Sequence, residues 1–390
     1  MKVVLAGYGT RGDTEPFAAV GRELLRRGHD VCMAVAPGVV GFLESAGLDA
    51  VPFGPESLAS ARNRMIQNPV SAAVDEKEYL SRAMDEWGAT LTTLANGADV
   101  LITGRIEQGL AANVTEYYGI PQAALHFFPG AHARLSGWAG DIVEKAEDAH
   151  RRALGLPDAP GQLSRCLEVQ AYDALCFPEL AAEWADGDSC RPFVGALTLE
   201  LPTEADDEVL SWIAAGPPPI YAGFGSGVWL PYPAQTFGLI SVACARLGVR
   251  ALICSGASDF ADAPHSDQVK VVGGVSHAAV FPACRAVVHQ GGAGTTAAGM
   301  RAGIPTLILW HPINDQQIWA DAVTRLKVGS GRAFSASNLG SLVADLRSIL
   351  DPQCIARAGE VAAQMTKPAV SVASAADLVE DAGHLGRIGA

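Results

Sequence analysis

The octapeptide His289-Gln290-Gly291-Gly292-Ala293-Gly294-Thr295-Thr296 follows an apolar run, Ala286-Val287-Val288, and leads into a stretch, Thr295 to Ala302, patterned as a helix start. A strand, a Gly-rich turn and a helix N-terminus in that order expose backbone N–H groups at the positive end of a helix dipole. Glycine lets a bulky anion approach that main chain, so a phosphate is the ligand such a turn suits. The spacing is neither the Walker pattern, which needs a Lys after its second Gly, nor a clean G-x-G-x-x-G. Taken alone, the octapeptide reads equally well as a tight turn with a buried histidine. A second chemical candidate is Asp13 in Thr10-Arg11-Gly12-Asp13-Thr14-Glu15-Pro16, just beyond the apolar run Val3 to Ala6. A carboxylate after a strand end can serve as a general base, and it can equally cap a helix beginning near Pro16.

The elements that must hold these residues repeat. Val3-Val4-Leu5-Ala6-Gly7-Tyr8-Gly9-Thr10 is echoed by Pro219-Ile220-Tyr221-Ala222-Gly223-Phe224-Gly225-Ser226, each a strand ending in Ala-Gly-aromatic-Gly-hydroxyl. Further strand candidates are Asp30 to Ala36, Val100 to Thr103 and Gln122 to His126 in the first half. The second half offers Arg250 to Ser255, Val269 to Gly273, Ala286 to His289 and Thr306 to Trp310. Strands alternating with amphipathic helices predict an α/β chain of two Rossmann-like, doubly wound domains. Gly195 to Gly216, with Pro202 and the acidic run Glu204 to Glu208, reads as a linker before Pro217-Pro218-Pro219. Ligands of such sheets bind beyond the strands' carboxyl ends, so the turns after Gly9 and His289 are expected to face a central cleft.

At 390 residues, half of them apolar, the chain can build two cores. A formal net charge of −14 argues against a nucleic-acid surface or a polybasic membrane patch. Met1-Lys2 runs directly into Val3 to Ala6 with no leader pattern, and no apolar stretch reaches membrane-spanning length, so a cytoplasmic protein is expected. Eight cysteines without a C-x-x-C pair read as reduced thiols of the core rather than zinc ligands or disulfides.

Taken in order, G-x-G-T-R-G-D-T-E-P at Gly7 to Pro16, Phe224-Gly225-Ser226, Val275-Ser276-His277, the octapeptide, Gly303-Ile304-Pro305 and Asp315-Gln316 resemble one family. It is the family 1 glycosyltransferases of the GT-B fold, in the bacterial branch acting on glycopeptide antibiotics, macrolides, sterols and mycobacterial glycolipids. The resemblance spans nearly the whole chain. It implies an acceptor-binding domain over 1–194, a linker over 195–216, a nucleotide-sugar-binding domain over 217–369 and a helix over 370–390 crossing back to the first. It further implies an inverting, metal-independent transfer of a hexose or deoxyhexose from a UDP- or dTDP-sugar to a hydroxyl of an apolar natural product or glycolipid. No cofactor is needed, and membrane association follows only for a lipid acceptor.

Under that resemblance Asp13 matches the base. His289, Gly291, Gly292, Gly294, Thr295 and Thr296 would hold the diphosphate, with Ser226 donating to a phosphate and Thr10 and Arg11 assisting or fixing their loop. The backbone of Val275 would read the base edge, and Asp315 and Gln316 the donor sugar. Arg105, Glu107 and His126, at strand ends of the first half, would face the acceptor. The segments Glu56 to Trp87 and Ala131 to Leu156 would form helices over it.

Other readings are a nucleotide-sugar epimerase on the same architecture and a catalytically silent, nucleotide-sugar-binding partner protein. A dinucleotide oxidoreductase lacks its acidic ribose anchor, because Val35-Ala36-Pro37 ends the second strand. Asp186-Gly187-Asp188, the pattern of a metal-dependent transferase, lies in a polar stretch and reads as a turn.

Overall fold

The computed structural model describes residues 1–55, 69–129, 137–158, 166–185, 190–225, 233–256, 267–311 and 315–388, the side chains of 69–75 and 385–388 excepted. It divides into two units, the first Met1–Tyr172 with Glu179–Leu199 and Pro368–Ala390, the second Asp173–Pro178 with Glu200–Lys367.

Each unit is built on a six-stranded parallel sheet. The first contains β1 (Lys2–Gly7), β2 (Asp30–Val35), β3 (Ala50–Pro52), β4 (Val100–Thr103), β5 (Gln122–His126) and β6 (Leu167–Gln170), in spatial order β3-β2-β1-β4-β5-β6. The second contains β7 (Ile220–Gly223), β8 (Ala251–Cys254), β9 (Val269–Val272), β10 (Ala286–His289), β11 (Thr306–Trp310) and β12 (Gly329–Ala333), in order β12-β11-β10-β7-β8-β9. Numbered within its own unit, the second order repeats the first. Both therefore reverse direction at their centre, between β1 and β4 and between β7 and β10. The crevice at such a switch point is where open α/β sheets bind ligands.

The central strands are buried apolar runs, as a sheet covered by helices on both faces demands. In the first unit Val4, Ala6, Leu101 and Ala34 pack against Trp87, Leu91 and Met84 of the helix Pro69–Leu94. In the second, Ile220, Val288 and Leu309 pack against Phe237 and Ile240 of the helix Pro233–Arg246 and Leu342 and Leu346 of the helix Leu339–Ile349.

Several local expectations differ from the structure. The helix after β1 spans Arg11–Arg26, so Pro16 is interior and buried, where its missing N–H removes a single backbone bond. The expected linker contains the helix Asp206–Ala214, whose Val209 and Ile213 join Tyr221, Phe281 and Val287 in a core cluster. Three edge strands, β3, β6 and β12, are short or rich in Gly and polar residues and lacked an apolar pattern. All eight cysteines are free, but only Cys176, Cys244 and Cys284 are buried; the other five are half-buried. Asp186-Gly187-Asp188, residues 56–68 of the segment Glu56 to Trp87 and residues 131–136 of Ala131 to Leu156 lie outside the described residues, while the remainder of the two segments holds the helices Pro69–Leu94 and Trp138–Ala153.

The helix Pro368–Ile388 belongs to the first unit. It buries Ala375, Ala376 and Val379. Arg27 reaches Asp377 and Glu380 (both 2.6 Å), and His29 Nε2 lies 2.6 Å from Glu380.

Candidate active site

In the second unit, β10 ends at His289, which is fully buried. Gly291 N–H donates to His289 Nδ1 at 3.0 Å, which puts the ring proton on Nε2. That Nε2–H has no partner among the described residues. Burial, with a smaller push from His277, drives the imidazole pKa down to about 3, so the ring is a neutral donor. Gly291 adopts φ +103, and a Cβ there would lie 2.9 Å from both the Gln316 carbonyl oxygen and Ile308 Cγ2. Only glycine lets the turn close so tightly over the next loop.

The helix Ala293–Arg301 follows from the N-cap Gly292, with no acidic residue in its first turn. Thr296 N–H is spent on the Gly292 carbonyl (3.0 Å), and its hydroxyl turns back to the same oxygen (2.9 Å). Thr296 is fully buried, so its side chain shapes the turn, while Gly294 is exposed and Thr295 half-buried. The amides of Ala293, Gly294 and Thr295 meet no acceptor among the described residues.

The loop after β11 packs here. Gln316 is buried, and its Oε1 accepts from His311 N–H at 2.8 Å, while its Nε2 bonds to none of the described residues. Asp315 takes the N-cap position of the helix Gln316–Leu326. The His311 ring lies against Phe334, centroids 4.6 Å apart. Val275 is buried, and the neighbouring Ser276 N–H donates to Asp206 Oδ1 (2.8 Å), which also accepts from Thr203 Oγ1–H, while Asp206 Oδ2 accepts from Thr203 N–H. His277 stacks on Phe281 (4.4 Å) and meets Tyr221 Oη at 3.2 Å, a structural role at a helix entry. Ser226 lies outside the described residues.

The turn after β1 is topologically equivalent but electrostatically opposite. Thr10 N–H donates to Asp13 Oδ2 at 2.7 Å and the Thr10 hydroxyl to the same oxygen at 3.0 Å. Arg11 is exposed, bonded to Glu15 (3.3 Å) and over the Phe42 ring (4.5 Å). Tyr8 N–H donates to Glu107 Oε1 at 3.0 Å. Carboxylates already occupy the donors that a phosphate would need, so Thr10 and Arg11 are engaged within their own unit. Asp13 remains open to solvent. Its pKa is raised mainly by the mass of protein around it, opposed by the Thr10 hydrogen bonds; solvent moderates that push because the carboxylate is not enclosed.

Of the expected acceptor residues, Glu107 departs most from its expectation. It is only 2% exposed and its carboxylate turns onto Tyr8 instead of outward. Burial, with Asp13's charge adding to it, pushes its pKa to about 7. Arg105 is half-buried over Phe128 (5.4 Å). His126 is buried with Nε2 3.1 Å from Gln108 Oε1, and burial pushes its pKa down to about 4 against the pull of Glu168. His126 Nε2 and the Arg105 guanidinium thus share a polar cluster with Gln108 and Glu168. Sequence reasoning missed the ties made by Tyr8 and Asp206. For Asp206 the Thr203-x-x-Asp206 spacing of a capping box was a signal.

Among the described residues no group of three or more His, Cys, Asp or Glu side chains could hold a metal ion. No helix among them is long and apolar enough to cross a membrane.

Residues 3–129 match the glycosyltransferase family 28 N-terminal domain, and residues 251–385 match the C-terminal domain of erythromycin biosynthesis protein CIII-like enzymes. An uncharacterized glycosyltransferase of Mycobacterium tuberculosis is 52% identical, covering 99% of this chain and 100% of its own. The vancomycin aglycone glucosyltransferase of Amycolatopsis orientalis is 28% identical, covering 96% of each chain. Among solved structures, the calicheamicin glycosyltransferase superposes with a TM-score of 0.73 at 18% identity, over 100% of this chain and 99% of that one. A Streptomyces sp. SF2575 glycosyltransferase complexed with thymidine diphosphate gives 0.66 at 19% identity, over 98% and 99%. Two parallel switch-point sheets and an open anion turn in the second define a GT-B glycosyltransferase. The chain belongs to that family, in the bacterial branch that includes the enzymes of glycopeptide-antibiotic pathways.

Proposed function

We propose that this glycosyltransferase moves a hexose or deoxyhexose from a UDP- or dTDP-sugar to a hydroxyl of an apolar natural product or glycolipid, with inversion and without a metal. One observation carries the reading: the turn after β10 offers, among the described residues, unpaired amides, no acidic side chain and a buried His289 Nε2–H without a partner. A group so costly to leave unpaired marks the place of an absent acceptor.

In this mechanism the acceptor oxygen attacks the anomeric carbon as the bond to the diphosphate breaks, and the acceptor proton passes to Asp13. A single displacement inverts the anomeric centre. The charge left on the diphosphate falls to the amides of Ala293, Gly294 and Thr295 beyond the N-cap Gly292, the dipole of their helix and His289 Nε2–H, which is work a metal would otherwise do. Gly291 admits the anion, Thr296 shapes the turn, and Ser226 adds a donor. Gln316 Nε2 and Asp315 bind sugar hydroxyls, and the Val275 backbone reads the base edge. Arg105 and His126 contribute to the acceptor side. Thymidine diphosphate in the Streptomyces relative and glucosyl transfer by the Amycolatopsis relative support this donor class.

The test pairs UDP- and dTDP-hexoses with a panel of hydroxylated apolar acceptors, products being weighed by mass spectrometry and their anomers assigned by NMR. Glycosides of inverted configuration that form undiminished in EDTA are expected. Retained configuration, or activity lost to EDTA and restored by manganese, would refute the reading.

A further inference from the structure

Two carboxylates hold one turn. Between Tyr8, whose N–H goes to Glu107, and Thr10, whose N–H goes to Asp13, stands Gly9 at φ +151, where a Cβ would run into the Asp13 carboxylate. On the other side Gly104 leaves room for Glu107, since a Cβ there would come within 2.7 Å of Oε2. Among the described residues no cation lies within ion-pair distance of Glu107. An enclosed carboxylate with an amide but no counter-ion is expensive to retain, and a merely structural position would be filled as well by glutamine.

We propose that Glu107 is a positioning residue for Asp13, fixing the Tyr8–Thr10 turn and, once ionised, making Asp13 the stronger base. This deepens the reading above and rests on Asp13 being the base. The two carboxyl groups titrate as a pair. Asp13, open to water, loses its proton first; Glu107 follows near neutrality because burial and the Asp13 charge both oppose its ionisation. When the second proton has gone to solvent, two negative charges flank the turn, and the proton Asp13 takes from an acceptor is bound more firmly. Two titratable groups near the pair have partners of their own. The Tyr8 phenol, half-buried and bonded to Tyr79, is held above its ordinary range and stays neutral. Arg105 lays its guanidinium over Phe128, and the charges it feels are those of Glu168 and Tyr172.

The experiment is the pH profile of kcat/KM between pH 5 and 9 for the wild type, Glu107→Gln and Asp13→Asn. Glutamine keeps an oxygen for Tyr8 N–H and removes only the charge. The wild type should rise in two steps, the upper one near pH 7 and worth roughly two- to fivefold. Glu107→Gln should show the lower step alone, with nucleoside diphosphate affinity unchanged. A wild type with one step, or a Glu107→Gln variant that retains the upper step, overturns the proposal. Near-parental turnover in Asp13→Asn overturns the base assignment instead, which separates the two failures. Should Glu107→Gln not fold, carbon-13 NMR of wild-type protein labelled at the glutamate carboxyls still decides: a carboxyl titrating near pH 7 supports the pairing, and none titrating above pH 6 refutes it.

Discussion

In the proposed mechanism Asp13 and His289 carry the chemistry as single side chains, and both are open to direct test. Asparagine at 13 keeps an oxygen for Thr10 N–H, so the helix start survives while basicity is lost. Turnover of Asp13→Asn is expected to fall roughly 10²- to 10⁴-fold. Its melting temperature and calorimetric affinity for nucleoside diphosphate should match the wild type; near-parental turnover would leave Asp13 a cap. His289→Ala should weaken nucleoside diphosphate binding by about tenfold or more, the worth of a hydrogen bond to a charged group. Because the ring pKa sits near 3, the unfolded chain takes up a proton at this position between the ordinary value of 6.5 and 3 that the folded chain refuses. Stability is therefore lost as pH falls through that window, and His289→Gln should flatten the decline in denaturant melts from pH 7 to 4. Both residues were visible in the sequence because short motifs hold them. Glu107 was visible only as a strand-end polar residue: its turn inward depends on Tyr8 and Gly104, which no local pattern connects.

At the level of elements, the turns decide more than the helices do. Gly291→Ala must either strain the backbone at φ +103 or push the loop of Gln316 away. A loss of more than about 1 kcal/mol in stability is expected, together with weaker donor binding, read by thermal melting with and without nucleoside diphosphate. An alanine variant that melts and binds like its parent would show that the close approach is dispensable. Asp206 ties the helix Asp206–Ala214 to the turn at Val275, so Asp206→Ala frees three hydrogen bonds at once. It should cost about 1–3 kcal/mol and weaken nucleotide binding more than Glu208→Ala on the exposed face of the same helix; equal effects would make Asp206 a simple cap. Strands β4, β5, β10 and β11 were legible to the residue, since burial on both faces forces continuous apolar runs. The edge strands β3, β6 and β12 were not, because half-buried strands carry mixed residues, and β12 reads Gly-Ser-Gly-Arg-Ala. The helix inside the expected linker was hidden by its acidic first turn, which is a helix-start signal as much as a loop signal.

For the molecule as a whole, the twin sheets were readable from the echo of Val3 to Thr10 in Pro219 to Ser226, and the return of the last helix was expected from the family resemblance, but the place of Asp173–Pro178 in the second unit had no signal in the sequence. The first unit is closed by the helix Pro368–Ile388 through Arg27, His29 and the buried Ala375, Ala376 and Val379. Deleting 368–388 should lower the melting transition of the first unit while the second, tracked by its stabilisation with nucleoside diphosphate, keeps its own. A single transition shifted as one would show the units to unfold together. The segment Asp173–Pro178 sits in the second unit, where Phe177 packs edge-on against Trp319 (5.3 Å) and Asp173 accepts from Thr366 N–H (2.7 Å). Residues 200–367 thus form a body inserted into the chain of the first unit. During synthesis that inserted half can collapse as soon as it emerges, whereas the half bearing Asp13, although made first, waits for its closing helix. Under the proposed function, a ribosome stalled before residue 368 would hold a chain able to grip a nucleotide but still lacking part of the half that is to accept the sugar.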